Sequence, residues 1–153
     1  MSHQTRIDYQ ALAPKSMKAM YALSQSFGSS TLGRRLIDLV LLRVSQINGC
    51  AFCIDMHWAD LLKQDVNPRH VNAVAGWREA PFFSERERAA LNWAEAVNAI
   101  PHRDPSDADF AQLKAHLSDT EIAELGFVIG TINVWNRLNV SFRTPVPEVP
   151  YSA

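Results

Sequence analysis

The sequence predicts an all-α protein of one domain with six to eight helices, on three observations. Proline and glycine or asparagine sit where helices begin and end, two complete capping boxes precede apolar-periodic runs, and no alternating strand pattern with hairpin turns occurs. A chain of 153 residues is long enough to bury roughly two-thirds of its unfolded surface in one core.

Pro14 opens a run carrying Met17, Met20, Tyr21 and Ser24 that stops before Gly28. Ser30 or Thr31 then caps a helix over 32–47, closed by Asn48-Gly49, two residues that tolerate the left-handed backbone of a helix end. Apolar side chains surround that helix, which predicts a central, buried position, and Asp38 interrupts them. A third helix starts at Cys50 and reaches about Lys63, and Asn67-Pro68 starts a short one towards Trp77.

Ser84 and Glu87 form one capping box and Ser118 and Glu121 another, with Leu117 and Ile122 placed as a hydrophobic staple. The helices they begin run to about Ala99 and Leu138. Between them Asp104-Pro105 starts a helix bearing Phe110, Leu113 and Leu117. Gly126 and Gly130 invite close approach of a neighbouring helix. The domain is expected over 1–143, followed over 144–153 by a proline-rich tail that runs extended.

Composition excludes several function classes. The formal net charge is −1 and no basic stretch of five residues exists, so neither nucleic acid nor an anionic membrane is an expected partner. No uninterrupted apolar run exceeds five residues, and polar residues from His3 to Gln10 break up any signal-peptide core. The expectation is a cytoplasmic protein, in a compartment where paired cysteines are more often reactive or metal-binding than stapled.

The only two cysteines are Cys50 and Cys53, and with His57 they stand at i, i+3 and i+7, one face of a helix. Gly49 puts Cys50 at the helix start, where free amides and the macrodipole stabilise a thiolate. His57 is one turn beyond Cys53, in reach of its proton. A nucleophilic thiolate, a second sulfur and a base near neutrality are what dithiol redox chemistry requires. Other readings of these residues stay open: two small buried hydrophobes, a non-catalytic redox sensor that changes oligomeric state, or a zinc-binding scaffold. Zinc would take Cys50, Cys53 and His57, with Asp38 or water as the fourth ligand, but no further cysteine exists to complete a structural site. Asp38 itself is either an i, i+4 partner of Arg34 or a buried carboxylate near the thiols.

The run from Leu36 to His57, with Asp38 twelve positions before Cys50-Ala51-Phe52-Cys53 and His57 four beyond it, resembles the core motif of the alkylhydroperoxidase-D-like (AhpD-like) group. That group lies within the carboxymuconolactone decarboxylase superfamily. Residues 83–91, 93–96 and 132–137 match its small bacterial members as well. The resemblance implies an all-α fold that forms homo-oligomers and a thiol-dependent peroxidase or disulfide reductase without a cofactor. The substrate would be a small peroxide or disulfide and the reductant an external dithiol.

Carried over, Cys53 is the peroxide-attacking thiol, Cys50 the more accessible resolving thiol, His57 the base and Asp38 the relay carboxylate. Two positions depart from the pattern: Asp38 stands for a glutamate, one methylene short of His57, and Phe52 replaces a histidine between the cysteines. Carboxymuconolactone decarboxylation is not implied, since that reaction does not use a cysteine pair. Trp135, Asn136 and Arg137 are candidates for a pocket or a subunit contact. Trp58 either covers the site or packs in the core, and His3, His70, His102 and His116 read as surface residues.

Overall fold

Helix ends in this chain are set by specific hydrogen bonds, and these fix where each element lies. The computed structural model describes residues 4–149, which form eight α-helices, two short 3-10 turns and no strand. They are α1 (Tyr9–Leu12), α2 (Pro14–Ser26), α3 (Arg34–Asn48), α4 (Ala51–Lys63), α5 (Pro68–Asn72), α6 (Glu85–Asn98), α7 (Asp107–Lys114) and α8 (Asp119–Phe142). The 3-10 turns are Phe27–Ser29 and Ala73–Gly76.

The predicted starts of α5, α6 and α8 hold. Asn67 caps α5 through the Arg69 amide, and both bonds of the Ser84–Glu87 and Ser118–Glu121 boxes are formed. Several expectations are corrected. Gly33, at φ +83°, precedes α3 in place of a Ser30 or Thr31 cap. The helix expected from Asp104-Pro105 begins at Asp107, because Ser106 and Asp109 make a third capping box; Leu117 lies beyond its end. The short helix towards Trp77 stops at Asn72 and continues as the second 3-10 turn. α8 runs four residues past Leu138 to Phe142. α1 was not anticipated; Asp8 caps it by accepting from the Ala11 amide.

α3 is the central helix. It packs on α4, α6 and α8, and Leu39, Val40, Leu42 and Val44 are all but inaccessible. Burying one such side chain is worth about 1.5–3 kcal/mol. Its polar positions are also used: Arg35 pairs with Glu87 at 2.6 Å and Arg43 with Glu95 at 2.7 Å, both on α6. Ile47, expected inside, is exposed.

The junction between α3 and α4 is a single glycine. Gly49 has φ +68°, the left-handed region that L side chains enter only at a cost. It lets the Cys50 amide bond the Ser45 carbonyl at 3.1 Å, the closing bond of a Schellman turn. Cys50 is therefore the N-cap of α4 and not its first helical residue; its sulfur accepts from the Cys53 amide at 3.4 Å.

Gly126 and Gly130 pack against nothing. Both are exposed on α8, and a methyl group built at either meets no atom within 4 Å. With exposed Phe127 and Val134 they form an open stripe along the helix, so the helix–helix contact expected there is not made within this chain. After Arg143, residues 144–149 form no helix.

Because Gly130 sits in open helix in the single chain, Gly130→Ala is expected to raise the stability of the monomer by about 0.5–1 kcal/mol through helix propensity alone. Urea unfolding measures this; a loss of stability would mean that the face is packed.

Candidate active site

The dithiol lies at the buried corner between α3 and α4. Cys50 and Cys53 are 1% and 0% exposed, both thiols are free, and their Sγ atoms are 2.6 Å apart. Cys50 lies deeper than the resemblance implied. The Schellman turn tucks it behind α4, so it is no more accessible than Cys53 and does not reach the cavity wall.

Cys53 does reach that wall. A cavity of about 520 Å³ runs between α2, α3, α4 and α8, with Cys53, Asp38 and His57 on its lining. Tyr21, Phe27, Leu41, Phe52, Ile132 and Trp135 make most of the remaining wall apolar. Phe52 thus occupies, with a hydrocarbon ring, a position from which an imidazole would contribute polarity. Trp135 is half-buried on this wall, bonding Ser24 through its indole N–H at 3.2 Å. Trp58 neither covers the site nor packs in the core, being exposed and absent from the lining.

Charge within the pair is unequal. The Cys50 thiol is pulled down to about 7, chiefly by the hydrogen bond from Cys53, against the effect of burial, and helped by the Cys53 amide and Asn136. Cys53 is pushed strongly upward by its bond to Cys50, by burial and by the neighbouring Cys50 charge. Cys50 is therefore the thiol that ionises more readily, while the sulfur that faces the cavity is Cys53. One S–H···S hydrogen bond links them.

Asn139 of α8 supplies a third contact: its amide Nδ2–H points at Cys53 Sγ, 3.4 Å away. The orientation of that amide is set by Tyr9, whose hydroxyl donates to Asn139 Oδ1 at 3.0 Å. Neither residue was anticipated, because 86 and 130 positions separate the members of these two pairs and no local pattern links them.

His57 is buried on α4, and neither ring nitrogen has a hydrogen-bond partner among the described residues. Its expected contact with Cys53 is thus not a direct hydrogen bond; the two meet only across the shared cavity. Burial lowers its pKa to about 4, outweighing the opposite pull of Asp60, so the imidazole is neutral at pH 7. Asp38 Oδ1 stands 3.8 Å from Nδ1, longer than a hydrogen bond, as one missing methylene predicts. Both readings of Asp38 are realised at once: it is buried beside His57, and Arg34 approaches its other oxygen at 3.8 Å. Burial and the charge of Asp60 raise Asp38 to about 6, against the hydrogen bond from Gln64 and the charge of Arg34.

Asp60 is a second carboxylate at this imidazole, with Oδ2 3.9 Å from Nδ1. It lies at i+10 from Cys50, on the face that carries Cys53 and His57, so extending the helical spacing by one turn finds it. The zinc set that the sequence allowed is not assembled. Among the described residues, the group of possible metal ligands that comes together is Asp38, His57 and Asp60, without either thiol. His102 and His116 are exposed as expected, whereas His70 is half-buried and stacks on Phe82 at 4.3 Å; His3 lies outside the described residues.

The model of the carboxymuconolactone decarboxylase family matches residues 14–96. YdfG of Bacillus subtilis (strain 168), an uncharacterized protein, is 34% identical over 136 residues, which span 89% of this chain and 92% of that one. A protein of unknown function from Agrobacterium tumefaciens, proposed as the antioxidant defence protein AhpD, superposes with a TM-score of 0.91 at 42% identity. The match covers 95% of this chain and all of that one. The debrominase Bmp8 shares the fold, with a TM-score of 0.82 at 21% identity over 91% of this chain and 75% of its own.

Asp38 and His57 give opposite pH dependences. Folded Asp38, at about 6 against an ordinary 3.8, holds a proton that the unfolded chain releases, so its contribution to stability falls as pH rises through that window. Folded His57, at about 4 against 6.5, lacks a proton that the unfolded chain holds, so its contribution rises over an overlapping window. Asp38→Asn removes the first term alone. Denaturant unfolding should then show stability climbing more steeply between pH 4 and 6.5 than in the wild type, and ending higher at pH 7.

Proposed function

The chain belongs to the carboxymuconolactone decarboxylase family and is AhpD-like, and from that we propose a thiol-dependent peroxidase or disulfide reductase that works through Cys50 and Cys53. The observation that carries this reading is the placement of Cys53 on an apolar cavity that His57 also lines, with a second thiol already hydrogen-bonded to it.

In the proposed cycle the Cys53 proton passes along the S–H···S bond to Cys50, leaving a Cys53 thiolate held by the Asn139 amide. That thiolate attacks the terminal oxygen of a hydroperoxide in the cavity. The O–O bond breaks, Cys53 becomes a sulfenic acid, and the alkoxide takes the proton from Cys50 to leave as an alcohol. Cys50, again a thiolate, attacks the Cys53 sulfur and expels hydroxide, which takes a proton delivered through His57 and Asp38 and leaves as water. Two electrons have passed from the dithiol to the peroxide. An external dithiol returns them by exchange through a mixed disulfide. A small disulfide would enter the same cycle in place of the peroxide.

This order of roles keeps Cys53 as attacker because it borders the cavity and Cys50 does not, makes Cys50 both acceptor of the Cys53 proton and resolver, and has His57 with the relay carboxylate Asp38 return a proton to the departing hydroxide. It requires no cofactor. Among the described residues no helix is long and apolar enough to cross a membrane, and we place the reaction in the reducing cytoplasm, where a dithiol donor is at hand. The open apolar stripe on α8 supports assembly as a homo-oligomer.

Hydroperoxide turnover with a dithiol donor tests the proposal. Cys53→Ser is expected to abolish it. Cys50→Ser should stop after one equivalent, with a trappable sulfenic acid and no intrachain disulfide, and His57→Gln should slow turnover about 10²–10⁴-fold. Absence of both peroxide and disulfide turnover with any dithiol donor would overturn it; oxidation that changes only the oligomeric state would assign a redox sensor instead.

A further inference from the structure

We propose that Asp38, His57 and Asp60 form a site for one zinc-class divalent cation, with an open coordination position facing the cavity. The three ligand atoms lie within 4.8 Å of one another; Asp38 and His57 are buried, and Asp60 is mostly so, with its side chain 13% exposed. His57 Nδ1 stands 3.8 Å from Asp38 Oδ1 and 3.9 Å from Asp60 Oδ2. Tetrahedral ligands about 2.0–2.1 Å from zinc are roughly 3.4 Å apart, so a cation needs about half an ångström of contraction at the two ring–carboxylate separations and at most about 1.4 Å between the two carboxylate oxygens.

The outer partners of the two carboxylates favour the same assignment. Gln64 donates to Asp38 Oδ2, which Arg34 also approaches, and Lys63 pairs with Asp60 Oδ1 at 3.3 Å. In each case the outer oxygen is engaged and the inner one is turned towards the ring. Metal-binding carboxylates are commonly held in this way by groups behind them. His57 is the independent sign of a ligand: its side chain is 8% exposed, it has no hydrogen-bond partner, and its nitrogen is aimed between two carboxylate oxygens. It is also neutral, the form that binds a metal. One nitrogen and two oxygens with a vacant fourth position suit zinc, whereas magnesium and calcium take six or more oxygens. Asp38 and His57 both line the cavity, so water or a substrate oxygen can complete the set.

A cation here would engage Nδ1 and both inner oxygens, which withdraws His57 from proton exchange. The inference that zinc therefore restrains the dithiol cycle rests on the proposed function; the site itself does not.

The experiment uses the full chain with Zn²⁺ and Co²⁺. In a Cys50→Ser/Cys53→Ser background, calorimetry should give one equivalent of zinc, and adding Asp60→Asn should weaken affinity by about 100-fold or more. In the wild type, bound cobalt should show d–d bands without a thiolate charge-transfer band, a reading that does not depend on any variant folding. Loss of zinc binding in the thiol-free protein together with a thiolate–cobalt band in the wild type would overturn the site, as would affinity indifferent to Asp60→Asn. Hydroperoxide turnover falling along the zinc binding curve supports the restraint. Binding without inhibition overturns the restraint alone, and intact binding in a protein with no turnover strikes the dithiol reading and leaves the site standing.

Discussion

The corner at Gly49 is the constraint on which the rest of the site depends. A left-handed residue there closes α3 and leaves no linker before α4, so one bond from the Cys50 amide to Ser45 ties the end of one helix to the start of the next. Any L side chain would pay roughly 1–2 kcal/mol for that backbone. Asn48, the last residue of α3, is held from both sides, by Asn98 of α6 and by Asn133 and Asn136 of α8. With that end immobilised, Cys50 has to be a cap, and the face of α4 that follows it carries Cys53, His57 and Asp60 in order.

The consequence is a concentration of ionisable groups inside an apolar interior, among which Cys50, Cys53, Asp38 and His57 are displaced by their surroundings. The thiols are displaced in opposite directions, Cys50 downward because it accepts hydrogen bonds at a helix start, and Cys53 upward because of its bond to Cys50 and its burial. Asp38 moves up and His57 moves down, both because burial disfavours the charged form. A neutral imidazole next to a carboxylate poised near 6 is suited to passing protons at physiological pH. Phe52 and Trp135 keep the cavity in front of these groups apolar.

Much of this was legible along the chain. Local rules located α5, α6 and α8, because Asn-Pro and the Ser-x-x-Glu boxes satisfy orphan amides within three or four residues. They failed at α7, where Ser106 with Asp109 forms a box that the Asp104-Pro105 signal obscured, and at Gly126 and Gly130, where small residues line an open face. Helical spacing brought Cys50, Cys53 and His57 together and would have included Asp60 one turn further on. The family motif brought in Asp38. Tyr9 and Asn139 left no local trace, since each acts on a residue far away in sequence.

The sequence by itself determined the helical class, the caps and the single-glycine corner that presents two thiols, an imidazole and a carboxylate along one face. Those features depend on contacts within a turn or two, which residue spacing records directly. The tertiary structure decided which sulfur meets the cavity and that Asp38 and Asp60 converge on His57 at nearly equal distances. These depend on how α2, α3 and α8 close around α4. Burial, and with it the upward shift of Asp38 and the downward shift of His57, exists only once those helices have packed.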